Sequence, residues 1–229
     1  MPSGARRNLA KKRHKSDDGQ GQTSELPGSA WLADALDKVF PEDQPPPGAV
    51  GQGPLELDAA GAEHLALQVA YRPLGCAVHN LSVEVSGIPV DVQARRVAYV
   101  NITASASGRP GLWPDPLPQL AGERATAVPG TTASIWVTLA VRAGAEAGLH
   151  RGEIAVSGMA GTQRVRSAFP VALSVLDLSV QRRSLLTEAG AEAYYLERFG
   201  HAEASSAGAE LQRYFAEMAR HRVSSMFYQ

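Results

Sequence analysis

The chain has 229 residues, 44% of them hydrophobic and 20% charged, with a formal net charge of −1. That is enough apolar material for one large domain or one domain with extensions, and the balanced charge excludes a bulk electrostatic attraction to nucleic acid or an anionic membrane. The single cysteine, Cys76, excludes an intrachain disulfide and any multi-cysteine metal cluster, and no run approaches the roughly 18 apolar residues of a membrane span.

Residues 1–28 are polar, charged and Gly/Ser-containing. They hold too little apolar surface to offset the entropy of ordering, so they read as a disordered basic tail. Its "ARRNLAKKRHK" stretch has the composition of a nuclear address or a contact for an acidic partner, and equally that of a solvated tail. No apolar core follows the positive charges, so the start does not match a secretory signal and the chain as written reads as cytoplasmic. Without a secretory signal, the sequons at Asn80 and Asn101 read as chance matches.

"SAWLADALDKVF" (29–40) predicts a short amphipathic helix: Ser29 caps it, and Trp31 or Leu32, Leu36 and Val39/Phe40 fall near one face. The Pro/Gly-rich linker up to residue 53 stops that helix.

From residue 54 to 181 the apolar period becomes two. Leu65, Leu67, Val69 and Tyr71 alternate with polar or small neighbours, as do Leu81, Val83 and Val85. Ile135, Val137, Leu139 and Val141 define one face of a strand whose other face carries Trp136 and Thr138. Ile154 and Val156, then Phe169, Val171, Leu173 and Val175, repeat the pattern. Short one-faced strands with Gly/Pro turns and no intervening helices predict a mainly β fold, an antiparallel, immunoglobulin-like β-sandwich. Pro170 places its strand at an edge or a bulge. Within this region "GRPGLWPDPLPQL" (108–120) reads as a stiff corner too rich in Pro and Gly for helix or sheet, with Trp113 and Asp115 at its centre.

The character changes again over 182–229. A connector leads to a helix in "AGAELQRYFAEMARHR", with Leu211, Tyr214/Phe215 and Met218 at helical spacing. "VSSMFY" (223–228) then reads as the first strand of an incomplete barrel.

Sites of chemistry are sparse. The sequence holds no phosphate-binding loop, no His-Glu-x-x-His and no nucleophile elbow. Its six histidines are dispersed, without a helical i,i+4 pair, so no metal or other cofactor is expected. Glu188, Glu192 and Glu197 lie in an Ala/Gly-rich connector and read as solvated charge, and Cys76, a lone cysteine beside the Pro73–Gly75 turn, reads as inert rather than as a nucleophile.

Four stretches taken in order carry a family resemblance. They are "WLADALDKVFP", "RRVAYVNI" leading to "GLWPDPLPQL", "SIWVTLAVRAGAEAGLHRGEIAV", and "YFAEMARHRVS". Over roughly residues 31–228 they resemble the N-terminal β-sandwich and first barrel elements of glycoside hydrolases around family 123, including proteins with domain of unknown function 4091. The resemblance implies a retaining hexosaminidase in which the substrate's acetamido group is the nucleophile and an adjacent Asp–Glu pair on later barrel strands assists. No Asp-Glu dipeptide follows residue 41. The expectation is therefore a non-catalytic accessory sandwich, cut short before catalysis, whose partner is a missing or separate (β/α) barrel; the alternatives are a stand-alone protein-interaction module and the front part of a truncated hexosaminidase-type hydrolase. Complete relatives are often secreted.

Two readings of Trp113 stay open. Its ring is suited to a sugar, and its flanking prolines suit a preformed packing or docking contact. Trp113 and Asp115 are thus the candidate glycan or inter-domain contacts. Arg222 joins them as a rim residue of a complete relative, with the alternative that it only complements the helix dipole.

Overall fold

The computed structural model describes residues 23–49, 53–103, 110–120, 125–180, 188–190, 204–220 and 223–226. The chain divides into two compact units, Met1–Ser179 and Val180–Gln229.

Twelve strands of the first unit are described: β1 (Ser24–Glu25), β2 (Gly28–Asp34), β3 (Leu55–Gly61), β4 (His64–Pro73), β5 (Val78–Ser86), β6 (Val90–Arg96), β7 (Tyr99–Ile102), β8 (Gly111–Pro114), β9 (Ala125–Ala127), β10 (Ala133–Val141), β11 (Gly148–Ala160) and β12 (Gln163–Ser179). A six-stranded sheet runs β1-β12-β11-β5-β9, with β3 also paired to β12. A four-stranded sheet runs β2-β4-β10-β6, and β7 and β8 form a separate two-stranded ribbon. None of these sheets is closed.

The alternation read from the sequence is the reason the two large sheets share one core. Val137 and Leu139 of β10, Ile154 and Val156 of β11, and Leu173 of β12 are all fully buried in a single cluster. Side chains of this size contribute about 1.5–3 kcal/mol each when withdrawn from water. Trp136 and Thr138 face away from that cluster, as their alternate positions require.

Several expectations change. The helix expected over 29–40 is strand β2, which pairs antiparallel with β4 from Gly28↔Pro73 to Asp34↔Leu67. The spacing misled because both faces of β2 are covered. Leu32 packs toward the main core, while Trp31 is buried beneath residues 39–49 in a second cluster with Val39 and Ala70. Two-sided burial removes the polar alternation by which a strand is recognised. The β region accordingly begins well before residue 54. Within the expected tail, residues 24–25 form β1 and Leu26 is buried; residues 1–22 lie outside the described residues.

The larger sheet is also mixed rather than antiparallel throughout. β12 takes β1 in parallel at Val165–Arg166 and β3 in parallel from Val171 onward. Parallel pairing needs a long connection, and in each case most of the unit lies between the partners. Pro170 does not mark an edge strand, because β12 is paired on both sides: it sits where the ladder on one side passes from β1 to β3, opposite Glu153 on the other. A residue without an N–H is tolerated at such a break.

In the second unit, β13 (Glu188–Gly190) and β14 (Ser224–Met226) pair in parallel, with α1 (Ala204–Arg220) between them in sequence. A parallel pair joined through a helix is a β-α-β unit. The strand at 224–226 is therefore preceded by another and is not the first of its segment. Leu211, Phe215 and Met218 form the half-buried stripe of α1, and Tyr214 is exposed. The helix closes with the Val223 N–H donating to the Met218 carbonyl at 2.9 Å, while Arg220 pairs with Glu217 at 2.8 Å.

Candidate functional site

The segment around Trp113 is more regular than its composition implies. β8 pairs antiparallel with β7, Tyr99 facing Pro114 and Val100 facing Trp113. Beyond the ribbon the pairing continues irregularly. The Asp115 N–H donates to the Ala98 carbonyl (3.2 Å), and the Ala98 N–H donates to the Pro116 carbonyl (2.8 Å). Two residues thus face one, as in a bulge. The Arg96 N–H then donates to the Pro118 carbonyl at 3.1 Å, and Arg95 bridges to Gln119. Pro116 and Pro118 therefore act as acceptors, the one role in a ladder that proline retains. As the outer strand of a two-stranded ribbon, β8 has an edge on which proline is admissible.

Trp113 is half-buried, and its ring meets Phe40 edge to face, with centroids 5.3 Å apart and planes at 80°. Such a pair contributes about 0.5–1.5 kcal/mol beyond area burial. Phe40 belongs to a strap, residues 34–44, held to the outer side of the four-stranded sheet carbonyl by carbonyl. The Gln68 side-chain amide donates to the carbonyls of Asp34 (3.0 Å) and Asp37 (2.9 Å), and accepts from the Ser134 hydroxyl (2.9 Å). The Tyr99 hydroxyl donates to the Val39 carbonyl at 3.1 Å. The Arg72 guanidinium donates to the carbonyls of Pro41 (3.1 Å), Asp43 (3.3 Å) and Gly130 (2.6 Å) and to the Thr132 hydroxyl (3.2 Å). The Lys38 ammonium reaches the Pro114 carbonyl at 3.4 Å and links strap to ribbon.

Between strap and ribbon lies a cleft of about 60 Å³, lined by Asp37, Lys38, Gln68, Pro114, Asp115 and Trp136 among others. That space admits a few waters or the tip of a side chain and is far below the ~300 Å³ at which small-molecule sites begin. A neighbouring cleft beside Trp31 measures about 280 Å³. The structure thus brings Trp113 and Asp115 to one corner, and adds Phe40, Lys38, Tyr99 and Arg72 to it. Arg222, the third expected contact, lies outside the described residues. Nothing in the sequence announced the strap's anchors, since Gln68 and Arg72 read as ordinary outward-facing residues of a strand. Among the described residues no cluster of His, Cys, Asp or Glu has the makings of a metal site, and no helix is long and apolar enough to cross a membrane.

Burial, with the negative charges of Asp43 and Glu42, pushes the Tyr99 hydroxyl up to about 12. Burial also raises Tyr71, whose hydroxyl donates to the Pro27 carbonyl at 2.6 Å. A tyrosine pKa raised on folding means that the folded state holds its proton more tightly. The corresponding stability is fully present below the ordinary value near 10 and is lost as pH rises toward about 12. Urea midpoints measured at successive pH values are expected to fall across that window, and to fall less steeply in Tyr99→Phe. An equal slope in both proteins would remove Tyr99 as a source.

No protein-family model matches the sequence, and neither does any curated protein. Among solved structures the chain is similar to a family 123 glycoside hydrolase from Clostridium perfringens, studied for glycolipid glycan hydrolysis, with a TM-score of 0.67 and 14% identity. The match covers 86% of this chain and 37% of the hydrolase, so this chain spans little more than a third of that enzyme's length. The macrocyclization catalyst AvmM of alchivemycin A biosynthesis matches at a TM-score of 0.39 with 9% identity, covering 69% of this chain and 93% of its own. The sporulation control protein Spo0M from Bacillus subtilis matches at 0.30 with 9% identity, covering 68% of this chain and 51% of its own. At these last two scores the likeness carries no functional weight. The chain has a mainly β, glycoside hydrolase-related fold.

Proposed function

We propose that this chain is the non-catalytic, immunoglobulin-like accessory β-sandwich of a glycoside hydrolase-like protein, related to family 123 and to proteins with domain of unknown function 4091. Its work is to support or dock a (β/α) barrel that carries the catalysis. The observation that carries this reading is the fold match over 86% of the chain, which occupies 37% of the hydrolase. The β13-α1-β14 unit supports it, because parallel strands joined by a helix are what such a barrel is made from.

The docking surface in this reading is the Trp113–Asp115 corner. The prolines, the bulge at Ala98 and the strap fix it before any partner arrives, which lowers the entropy lost on association. A glycan contact there is the weaker option, since one side of the Trp113 ring environment is already taken by Phe40 and the adjoining cleft is small.

Sequencing the transcript through the codon for Gln229 tests the reading. Continuation into further β/α units with an adjacent Asp–Glu pair is expected. A stop codon at that point would replace it with a stand-alone protein-interaction module. Where the barrel is found, Trp113→Ala is expected to weaken its binding to this chain, produced separately, by about 2 kcal/mol, the loss typical of a central interface tryptophan. Unchanged affinity in a calorimetric titration would move the docking surface elsewhere.

A further inference from the structure

We infer that Arg72 is the positioning residue of the Trp113 corner, acting through the strap and the Phe40 ring. This rests on reading that corner as the contact surface. Arg72 lies near the end of β4 on the four-stranded sheet and is partly buried. Its one guanidinium reaches four oxygens from two stretches of chain: Pro41 and Asp43 on the strap, Gly130 and Thr132 on the turn before β10.

That turn grips the same two strap carbonyls. The Thr132 N–H donates to Pro41 at 2.8 Å, and the Thr132 hydroxyl donates to Asp43 at 2.7 Å. Phe40 directly precedes these anchors. Its N–H donates to the Asp43 carboxylate at 2.7 Å and its own carbonyl is joined to Pro41, so its backbone has little freedom. The ring it carries is the one against which Trp113 packs.

The chemistry requires arginine. A guanidinium offers five donors in a rigid planar fork, whereas a lysine ammonium offers three on a flexible stem and is strongly hydrated. Nη1 reaches Pro41, Asp43 and Thr132 while Nη2 reaches Gly130, so the planar fork holds strap and turn in one fixed geometry. The sequence of causes is therefore Arg72, strap carbonyls, Phe40, Trp113, with the Lys38 bond to Pro114 as a second tie at the far side.

The test is indole N–H exchange and chemical shift in the full chain labelled with ¹⁵N. Trp113 is assigned by Trp113→Phe, and the backbone amide of Leu173, in the core strand β12 and away from strap and ribbon, serves as the internal reference. In Arg72→Met the Trp113 signal is expected to shift, and its exchange to accelerate on the order of tenfold, as suits the loss of one or two charge-assisted hydrogen bonds. The Leu173 amide stays as in the wild type. Arg72→Lys restores part of the protection. Phe40→Ala reproduces the effect, and adding Arg72→Met to it changes Trp113 no further.

Acceleration of the Trp113 indole and the Leu173 amide together would overturn the inference, because Arg72 would then be only a general stabiliser. So would a Trp113 signal unmoved in Arg72→Met but moved in Phe40→Ala. Should Arg72→Met not fold, Thr132→Val and Arg72→Lys carry the same comparison from the two sides of the clamp. Failure here is separate from failure of docking: a corner correctly set by Arg72 that binds no barrel would leave this inference standing and remove the other.

Discussion

Leu173→Ala is expected to lower the unfolding free energy by about 3–4 kcal/mol, measured as a reduced urea midpoint with unchanged slope. Leu173 is fully buried near the middle of β12, the strand that pairs with β11 on one side and β3 on the other. Truncation removes the transfer free energy of the lost atoms and leaves a cavity that paired strands close poorly, because a ladder resists inward movement. Leu178→Ala is the control. It lies on the same strand at 58% exposure and is expected to change stability by less than about 0.5 kcal/mol. Equal losses at both positions would contradict the placement of β12 against the core.

Gly152→Ala is expected to cost about 3 kcal/mol or to prevent folding, the upper part of the overpacking range. A Cβ at position 152 would lie 2.0 Å from the Ser86 carbonyl oxygen and 3.1 Å from the Gly87 carbonyl carbon. Both are backbone atoms of the β5 end and the turn into β6, so relief requires parting β11 from β5. Gly144→Ala, where an added Cβ meets nothing within 4 Å, is the matched comparison. A soluble, wild-type-like Gly152→Ala protein would show that β5 and β11 do not approach as described.

Much of the two-sheet unit was legible because its central strands bury one face. β10 is the clearest case: Ile135, Val137, Leu139 and Val141 point into the core while Trp136 and Thr138 do not, and a period of two survives in the sequence. β2 was illegible for the opposite reason, with Leu32 under one layer and Trp31 under another. The spacing of Trp31, Leu36 and Phe40 then imitated a helix, although Leu36 is 90% exposed. β13 is only three residues long and left no alternation to detect.

The site divides in the same way. Trp113 and its prolines stood out because few residue types suit that backbone. The strap did not, because its anchors are side-chain bonds to carbonyls roughly 30 to 90 positions away, from Gln68 to Asp37 and from Thr132 to Asp43. Any side chain with an N–H or O–H on an outward strand face is equipped for such a bond, and residue type alone names no carbonyl.

The parallel seating of β1 and β3 on β12 governs the order in which the molecule is assembled. Ser24 waits for Val165, and Leu55 waits for Val171. As the chain emerges from the ribosome, β1 and β3 have no partner strand until nearly the whole unit has been made, whereas β2 meets β4 early. Closure of the larger sheet is thus the last event of synthesis for this unit, and contacts of such sequence separation make it a slow one. Until then the edges of these early strands are exposed, and this is the interval in which the chain is most open to pairing with the wrong neighbour.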